Sequence, residues 1–244
     1  MAPPEESIIR PIAHIRSDFS QKFGIPRQSG LIDSLRAQVV FLPEYREPEA
    51  FRGLEEYSHL WLIWQFSQAR REGWSPTVRP PRLGGNIRKG VFATRSPFRP
   101  NSLGLSSVRL LEVLPEGPEG PVLVVGGADL LDGTPIYDVK PYLPYTDSHP
   151  EASGGFALQE REGSLEVDFP PELLGRLPLH LRESLVAVLA QDPRPGYQDD
   201  PDRIYGLAFG GAEVRFRVAG ERLTVVEVAG PSTNDGSRIF CEKT

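Results

Sequence analysis

The chain has 244 residues, 39% of them hydrophobic, and carries a net charge of −6. These values are typical of one large globular domain, or of a medium domain with a smaller one, that can bury a substantial core. The N-terminus lacks the pattern of a signal peptide, and no apolar run has the length of a membrane span. The one cysteine, Cys241, leaves no internal disulfide, which fits a reducing compartment. We therefore expect a cytoplasmic protein that is not bound to a membrane.

Short strands separated by turn residues dominate the first 150 residues. Apolar runs predict strands at 7–15, 37–42, 58–66, 89–94, 105–114, 121–131 and 134–142. Trp61 and Trp64 lie three residues apart in one run, so they face opposite sides of a strand, and at least one belongs to the core. The segment 115–121 holds only proline, glycine and glutamate, and it predicts a solvated hairpin loop. This spacing favours a mainly antiparallel barrel or sandwich.

The pattern changes after residues 148–155. A strand at 164–169 precedes a helical apolar repeat that ends at Pro193, and two more strands meet at the turn of Gly220. We predict a mainly β protein with an N-terminal antiparallel β-barrel domain and a small α+β domain. The predicted boundaries are 1–150 for the barrel domain, 156–230 for the α+β domain and 231–244 for a tail.

Positive charge is concentrated in residues 70–99, although the whole chain is acidic. Eight cations stand there against one acid, Glu72, so this segment carries +7. Most are arginines, whose planar fork suits phosphates and carboxylates. Nucleic-acid binding requires a positively charged surface. The segment is interpreted either as an RNA-binding surface or as a solvated arginine-rich face.

Three polar clusters interrupt the strands of the first half. They are FGIPRQSG (23–30), RPPRLGGNIRKGVFATRSPFRPNSLGLS (79–106) and DLLDGTPIYDVKPYLPYTD (129–147). In the second cluster, prolines flank Arg95 and Arg99 and reduce the entropy lost when these donors order around a ligand. Such a clamp suits a carboxylate, a phosphate or a base edge. We expect the third cluster to form one wall of the same pocket.

Several common sites are absent from the sequence. The four histidines are far apart and no cysteines are paired, so we expect no metal. There is no P-loop, no Rossmann glycine motif and no GxSxG motif.

The motifs resemble the TsaA-like (YaeB-type) family. The resemblance is carried by the first two clusters, by RGLEEYSHLWLIWQF, PTVRPPRLGGN and LLDGTPIYDVKPYLPY, and downstream by LAQDPRPGYQ and YGLAFGGAEVRFRV. It covers about residues 7–228. It implies a homodimeric β-barrel methyltransferase that uses S-adenosyl-L-methionine, bound near the subunit interface. The implied reaction is methylation of N6 of threonylcarbamoyladenosine at position 37, beside the anticodon, with threonine-accepting tRNA as the expected substrate.

The resemblance also implies site residues. By the family pattern, the cofactor pocket is lined by Gln28, Ser29, Gly30, Phe66, Ser67, Arg95, Leu105, Asp132, Gly133, Thr134, Pro135 and Ile136. Our candidates for handling the N6 proton are Asp138, His59 and Tyr142. The residues expected to contact the anticodon loop are Arg79, Arg82, Arg88, Lys89, Arg194 and Tyr197.

Two other functions remain open at this point. The barrel could bind S-adenosylmethionine or RNA as a non-catalytic module. An arginine clamp could also serve hydrolysis of a phosphorylated small molecule, but the sequence offers neither a metal site nor an evident nucleophile for it.

Overall fold

The first half of the chain folds into a closed six-stranded barrel, as seen in a computed structural model that describes residues 6–68, 73–80, 87–158, 164–194 and 200–230. The barrel strands are β1 (Ala13–Arg16), β2 (Arg36–Phe41), β3 (His59–Gln65), β6 (Leu103–Leu114), β7 (Val122–Gly126) and β8 (Pro135–Pro141). Neighbouring strands are antiparallel all the way round, in the order β1-β2-β7-β6-β3-β8. The predicted mainly β fold with an N-terminal antiparallel barrel is therefore confirmed.

Two further short strands form a ribbon outside the barrel. They are β4 (Thr77–Val78) and β5 (Lys89–Gly90), which pair antiparallel. The predicted strand at 89–94 is only partly correct, because β5 stops at Gly90 and a 3-10 turn, Val91–Ala93, follows. Val91 is fully buried and anchors this turn.

Every second side chain of β3 points into the barrel and helps to fill it. Leu60, Leu62 and Trp64 are buried in its core, whereas Trp61 and Ile63 point outward. The two tryptophans therefore face opposite sides of the strand, as predicted. The predicted loop 115–121 connects the antiparallel strands β6 and β7.

The second half of the chain forms a four-stranded sheet covered by a helix. Its elements and those that precede it are α1 (Pro144–Asp147), β9 (Glu166–Asp168), α2 (Pro171–Leu174), α3 (Leu179–Ala190), β10 (Tyr205–Phe209), β11 (Ala212–Ala219) and β12 (Arg222–Ala229). The strands follow the order β10-β11-β12-β9, in which β9 pairs parallel with β12. Leu181, Leu185 and Leu189 lie on one face of the long helix α3 and pack into the core of this sheet.

The segment between β1 and β2 joins the barrel to the second sheet. Its side chains Phe19, Ile32 and Leu35 belong to the core of the second sheet, although they precede it by more than 100 residues. The carbonyl of Asp18 accepts a 2.9 Å hydrogen bond from the backbone N–H of Gly210. The segment between β1 and β2 therefore packs into the core of the second sheet, whereas the barrel has a separate core of its own. Within the described ranges, no helix has the length and apolar character needed to cross a membrane.

Candidate active site

A cavity of about 840 Å³ lies against strands β3 and β6. Its other walls come from residues 22–28, the loop 94–99 and the segment 129–134 that precedes β8. Its volume is within the range of small-molecule sites. The structure thus brings parts of all three polar clusters to one place.

One wall of the cavity is apolar. Trp61 and Ile63 contribute the outward face of β3, and Leu105 lies opposite Ile63 on β6. Leu105 is 55% exposed, so its side chain is accessible from the cavity. A surface of this kind suits a flat aromatic ring of a ligand.

A chain of hydrogen bonds leads from the barrel core into the cavity. The indole N–H of Trp64 donates to Oγ of Ser106 (3.0 Å), and this hydroxyl donates to Oδ1 of Asp129 (2.7 Å). Burial raises the pKa of the Asp129 carboxyl, while the Ser106 hydrogen bond and the charge of Arg95 act in the opposite direction. The hydrogen bond from Ser106 therefore holds the Asp129 carboxyl group in place at the cavity wall.

Close packing holds Trp64 in this chain. A Cβ atom at Gly104 would lie 2.3 Å from the indole ring, so residue 104 has no room for a side chain. The ring also packs against Phe66, with 4.3 Å between the ring centroids. These contacts fix the indole that orients Ser106.

A guanidinium group stands at the mouth of the cavity. Arg95 is exposed and donates from Nη1 to Oε1 of Gln28, which links the first two polar clusters. Arg99 also lines the cavity, and its Nη1 donates to the carbonyl of Thr94 (2.9 Å). Two guanidinium groups and the Asp129 carboxyl group therefore line the same cavity.

The loop that carries these arginines is held by its own side chains. Oγ1 of Thr94 donates to the carbonyl of Val91 (2.8 Å) and accepts from the N–H of Ser96 (3.2 Å). Oγ of Ser96 accepts from the N–H of Phe98 (3.2 Å). Together with the prolines, these bonds reduce the conformational freedom of the loop.

The structure gathers half of the predicted cofactor residues in the cavity. The residues that line it are Gln28, Phe66, Ser67, Arg95, Leu105 and Thr134. The predicted residues outside its walls are Ser29, Gly30, Asp132, Gly133, Pro135 and Ile136.

The turn around Asp132 faces the end of β1. Oδ1 of Asp132 accepts from the N–H of Ser17 (3.1 Å), and the backbone N–H of Gly133 donates to Ile15 (2.9 Å). Gly133 has a φ of +74°, the left-handed region that glycine adopts without strain. In this single chain, the turn closes the barrel beside the cavity.

The candidates for proton handling lie in one row on the outer surface of β3 and β8. The ring centroids of His59 and Tyr142 are 6.1 Å apart, and those of Trp61 and Tyr142 are 5.5 Å apart. Asp138 pairs with Ile63 in the strand register, and its carboxylate forms a 3.0 Å ion pair with Lys140. None of the three candidates lines the cavity, but their row begins at its wall, where Trp61 and Ile63 lie.

The predicted RNA contacts fall into two groups. Arg79, Arg88 and Lys89 lie on or next to the β4–β5 ribbon. Arg194 is bound to Asp192, with Nε and Nη2 each 2.9 Å from a carboxylate oxygen, and its side chain is 10% exposed. Arg82 and Tyr197 lie outside the described residues.

Neither Asp129 nor Ser106 is among the predicted site residues, although Asp129 begins the third polar cluster. Ser106 occupies an inward position of β6, where Val108 two residues later is buried in the barrel core. A hydroxyl at an inward strand position needs a polar partner, and this signal was available in the sequence. The partner, Asp129, could not be identified without the fold.

A β-barrel with a cavity framed by arginines and a carboxylate defines a class of protein that binds a small charged ligand. Residues 14–148 match the model of the tRNA-methyltransferase O N-terminal domain, and residues 162–231 match that of the TrmO C-terminal domain. The chain belongs to the tRNA-methyltransferase O family. This confirms the family resemblance of the motifs.

Characterised and solved proteins resemble the chain over most of its length. A protein of Escherichia coli K12 named tRNA (adenine(37)-N6)-methyltransferase is 43% identical over 85% of this chain and 91% of its own length. A Pseudomonas aeruginosa protein named as a candidate S-adenosylmethionine-dependent methyltransferase is 41% identical over 91% of this chain and 97% of its own length. A crystal structure of TrmO from Pseudomonas aeruginosa matches with a TM-score of 0.74 and 35% identity, and covers 93% of this chain and all of that one.

Among the residues that the structure describes, no group of three or more His, Cys, Asp or Glu side chains is placed to hold a metal ion.

Proposed function

We propose that this protein is an S-adenosylmethionine-dependent tRNA methyltransferase that acts on N6 of adenosine 37, beside the anticodon. The observation that carries the proposal is the match of both halves of the chain to one family, which includes a relative with that named activity. We further propose that the adenosine carries a threonylcarbamoyl group and belongs to threonine-accepting tRNA.

The cavity fits the chemical groups of S-adenosylmethionine. Arg95 and Arg99 offer guanidinium groups for the carboxylate, and the carboxylate of Asp129 suits the ammonium group or the ribose hydroxyls. The apolar wall of β3 and β6 suits the adenine ring. When bound, S-adenosylmethionine supplies a methyl group activated by a sulfonium centre.

The contribution of the chain to catalysis is mainly orientation. A rigid pocket that aligns the accepting nitrogen with the methyl carbon and the sulfur can contribute about 7 to 11 kcal/mol. The carbamoylated N6 nitrogen is a poor nucleophile, so a group that accepts its proton adds about 10²- to 10⁴-fold. We propose that this group is one of His59, Asp138 and Tyr142, since their row starts at the cavity wall.

We propose that RNA binds along the β4–β5 ribbon. Its cations Arg79, Arg88 and Lys89 can neutralise phosphates. Arg194 contributes less to this surface, because Asp192 already neutralises its charge.

We also propose that the protein is a homodimer and acts in the cytoplasm, where its tRNA substrate is found. Five residues of the family pattern lie outside the cavity of a single chain and are at least partly exposed, an arrangement expected if a second subunit completes the site. They are Ser29, Gly30, Asp132, Gly133 and Pro135. The sixth, Ile136, is fully buried in the barrel core. Sedimentation equilibrium measures the oligomeric state directly.

The test of the proposed function is transfer of a labelled methyl group. The protein is incubated with methyl-labelled S-adenosylmethionine and tRNA from cells that lack this methyltransferase. We expect label on N6-threonylcarbamoyladenosine 37 of threonine-accepting tRNA after nuclease digestion and chromatography. Saturable cofactor binding without label would instead support a non-catalytic binding module.

A further inference from the structure

Two large aromatic side chains lie exposed next to each other outside the barrel. Trp74 is 51% exposed and Phe92 is 71% exposed. Their ring centroids are 6.1 Å apart and their planes differ by 29°, so the rings are stacked. Neither ring belongs to a buried apolar cluster. Exposed aromatic rings of this size mark a binding surface more often than single exposed leucines do.

The aromatic pair is held on a fixed backbone. Phe92 follows Val91, which is fully buried and whose N–H donates to the carbonyl of Pro76 (3.0 Å). Trp74 precedes Pro76 by two residues, so one backbone contact positions both rings. A preorganised platform loses little conformational entropy when it binds a ligand.

The surroundings of the aromatic pair are positively charged. Arg79, Arg88 and Lys89 are carried by the same ribbon, and in the part of the chain that the structure describes none of them pairs with a carboxylate. Nη1 of Arg88 donates to Oγ1 of Thr77 (3.0 Å), which leaves its charge uncompensated. A partner of this ribbon is therefore expected to be anionic.

The aromatic pair is also close to the cavity. Thr94 and Arg95, two and three residues after Phe92, line the cavity. Two residues span at most about 7 Å of chain. The backbone that carries Phe92 therefore continues directly into the backbone that lines the cavity.

We propose that Trp74 and Phe92 form a stacking platform for an unpaired base of the RNA substrate, adjacent to the base that enters the cavity. This inference rests on the proposed function. Single-stranded RNA combines flat bases with phosphates, which matches aromatic rings flanked by cations. A second copy of this chain fits less well, because a two-fold contact through this ribbon would bring like charges together.

The experiment compares two RNA probes and matched variants of the full chain. The probes are an anticodon stem-loop and a fully paired RNA of the same length, each labelled with a fluorophore for anisotropy titrations. In Trp74→Ala and Phe92→Ala, we expect affinity for the stem-loop to fall roughly 5- to 150-fold, and affinity for the paired RNA to stay within about twofold. The salt dependence should keep its slope, because no phosphate contact is removed.

Conservative variants provide the controls. Trp74→Phe keeps a flat ring and should retain most of the stem-loop affinity. Ile87→Ala is the control for loss of an exposed apolar side chain, because Ile87 is 52% exposed and both aromatic rings stay in place. Cofactor binding, measured by calorimetry, should be the same in all variants. As a measurement that needs no variant, a stem-loop with 5-iodouridine in the loop should crosslink to Trp74 or Phe92 on irradiation.

Unchanged stem-loop affinity in Trp74→Ala/Phe92→Ala, or crosslinks only elsewhere, would overturn the platform. Loss of dimerisation with RNA affinity unchanged would assign the pair to a subunit interface and would also overturn it. The proposed function fails in a different way. A wild-type protein that binds the stem-loop through these rings but transfers no methyl group would refute the methyltransferase activity and leave the platform standing.

Discussion

The hydroxyl of Ser106 connects the core to the cavity: it accepts a hydrogen bond from the indole of Trp64 (3.0 Å) and donates one to Asp129 (2.7 Å). Ser106 is 1% exposed and Trp64 is 7% exposed, so the buried indole N–H depends on the Ser106 hydroxyl as its hydrogen-bond acceptor. A carboxyl group that lines the cavity is thus oriented by a residue deep in the barrel.

Replacement of Ser106 by alanine should weaken both stability and cofactor binding. The indole N–H of Trp64 would lose its partner inside the protein, which costs about 1 to 3 kcal/mol in the free energy of unfolding. The affinity for S-adenosylmethionine should fall as well, since Asp129 loses the donor that fixes it. Urea denaturation and calorimetry measure the two effects. The neighbour Ser107 does not face the core, and Ser107→Ala should change neither. Full cofactor affinity in Ser106→Ala would show that Asp129 does not need this partner.

The close contact between Gly104 and Trp64 predicts a strong effect of a single methyl group. In Gly104→Ala, the added Cβ would lie 2.3 Å from the indole, so the ring must move. We expect a loss of about 1 to 3 kcal/mol in stability, with a weaker cofactor site. Gly90→Ala is a matched control, because its Cβ meets nothing within 4 Å and its φ is −56°. Equal stability of the two variants would contradict the packing argument.

Asp18 predicts a pH dependence of stability at the junction of the two halves. Burial, followed by the charge of Asp132, raises the pKa of Asp18 to about 6 from 3.8. The folded chain therefore binds this proton more tightly than the unfolded chain, and its stability falls as the pH rises from about 4 to 6. Raising the pKa by about two corresponds to roughly 2 to 3 kcal/mol in the free energy of unfolding, and this contribution to stability is lost above pH 6.

Asp18→Asn should remove this loss. We expect the variant to be more stable than the wild type at pH 7.5 and similar at pH 4.5, as measured by urea denaturation at both pH values. Asp168→Asn, at an exposed position of β9, should leave the profile of the wild type unchanged. A variant that is less stable at pH 7.5 would show that the carboxylate has a stabilising partner when charged.

One of the three residues His59, Asp138 and Tyr142 should slow proton removal when it is replaced. His59→Gln, Asp138→Asn and Tyr142→Phe preserve shape, so the one that removes the proton acceptor should lower kcat about 10²- to 10⁴-fold with little change in cofactor affinity. The pH profile of kcat should lose one limb in that variant only. Single-turnover methyl transfer measures this directly. If all three retain the wild-type rate, orientation alone drives the reaction.

Reversing the positive charges of the β4–β5 ribbon should weaken RNA binding. Arg79→Glu and Arg88→Glu should lower tRNA affinity and flatten its dependence on salt, since fewer phosphate counterions are released. Anisotropy at several salt concentrations gives the slope, and calorimetry should find cofactor binding unchanged. Arg52→Glu provides the control, because Arg52 lies outside the ribbon and already pairs with Glu49. An unaltered slope would place the phosphate contacts on another surface.

Strand periodicity in the sequence was sufficient to predict most of the barrel. Runs such as 37–42 and 58–66 correspond to β2 and β3 within one residue at each end. Periodicity failed at 89–94, because the buried anchor Val91 ends the strand in a 3-10 turn that apolar patterning does not distinguish from a strand. It also missed β10, whose five residues form a strand by pairing with β11.

The sequence by itself determined the family, the fold class and the three polar clusters, because these depend on local composition and on motifs that are continuous along the chain. Only the tertiary structure decided which members of the clusters meet. Gln28 and Arg95 are 67 residues apart in the chain and touch, whereas Asp132 turns toward the end of β1. The physical reason is that barrel closure and strand register set side-chain neighbours across the sheet. The same long-range packing brought Phe19 into the core of the distant second sheet and selected Asp129 as the partner of Ser106.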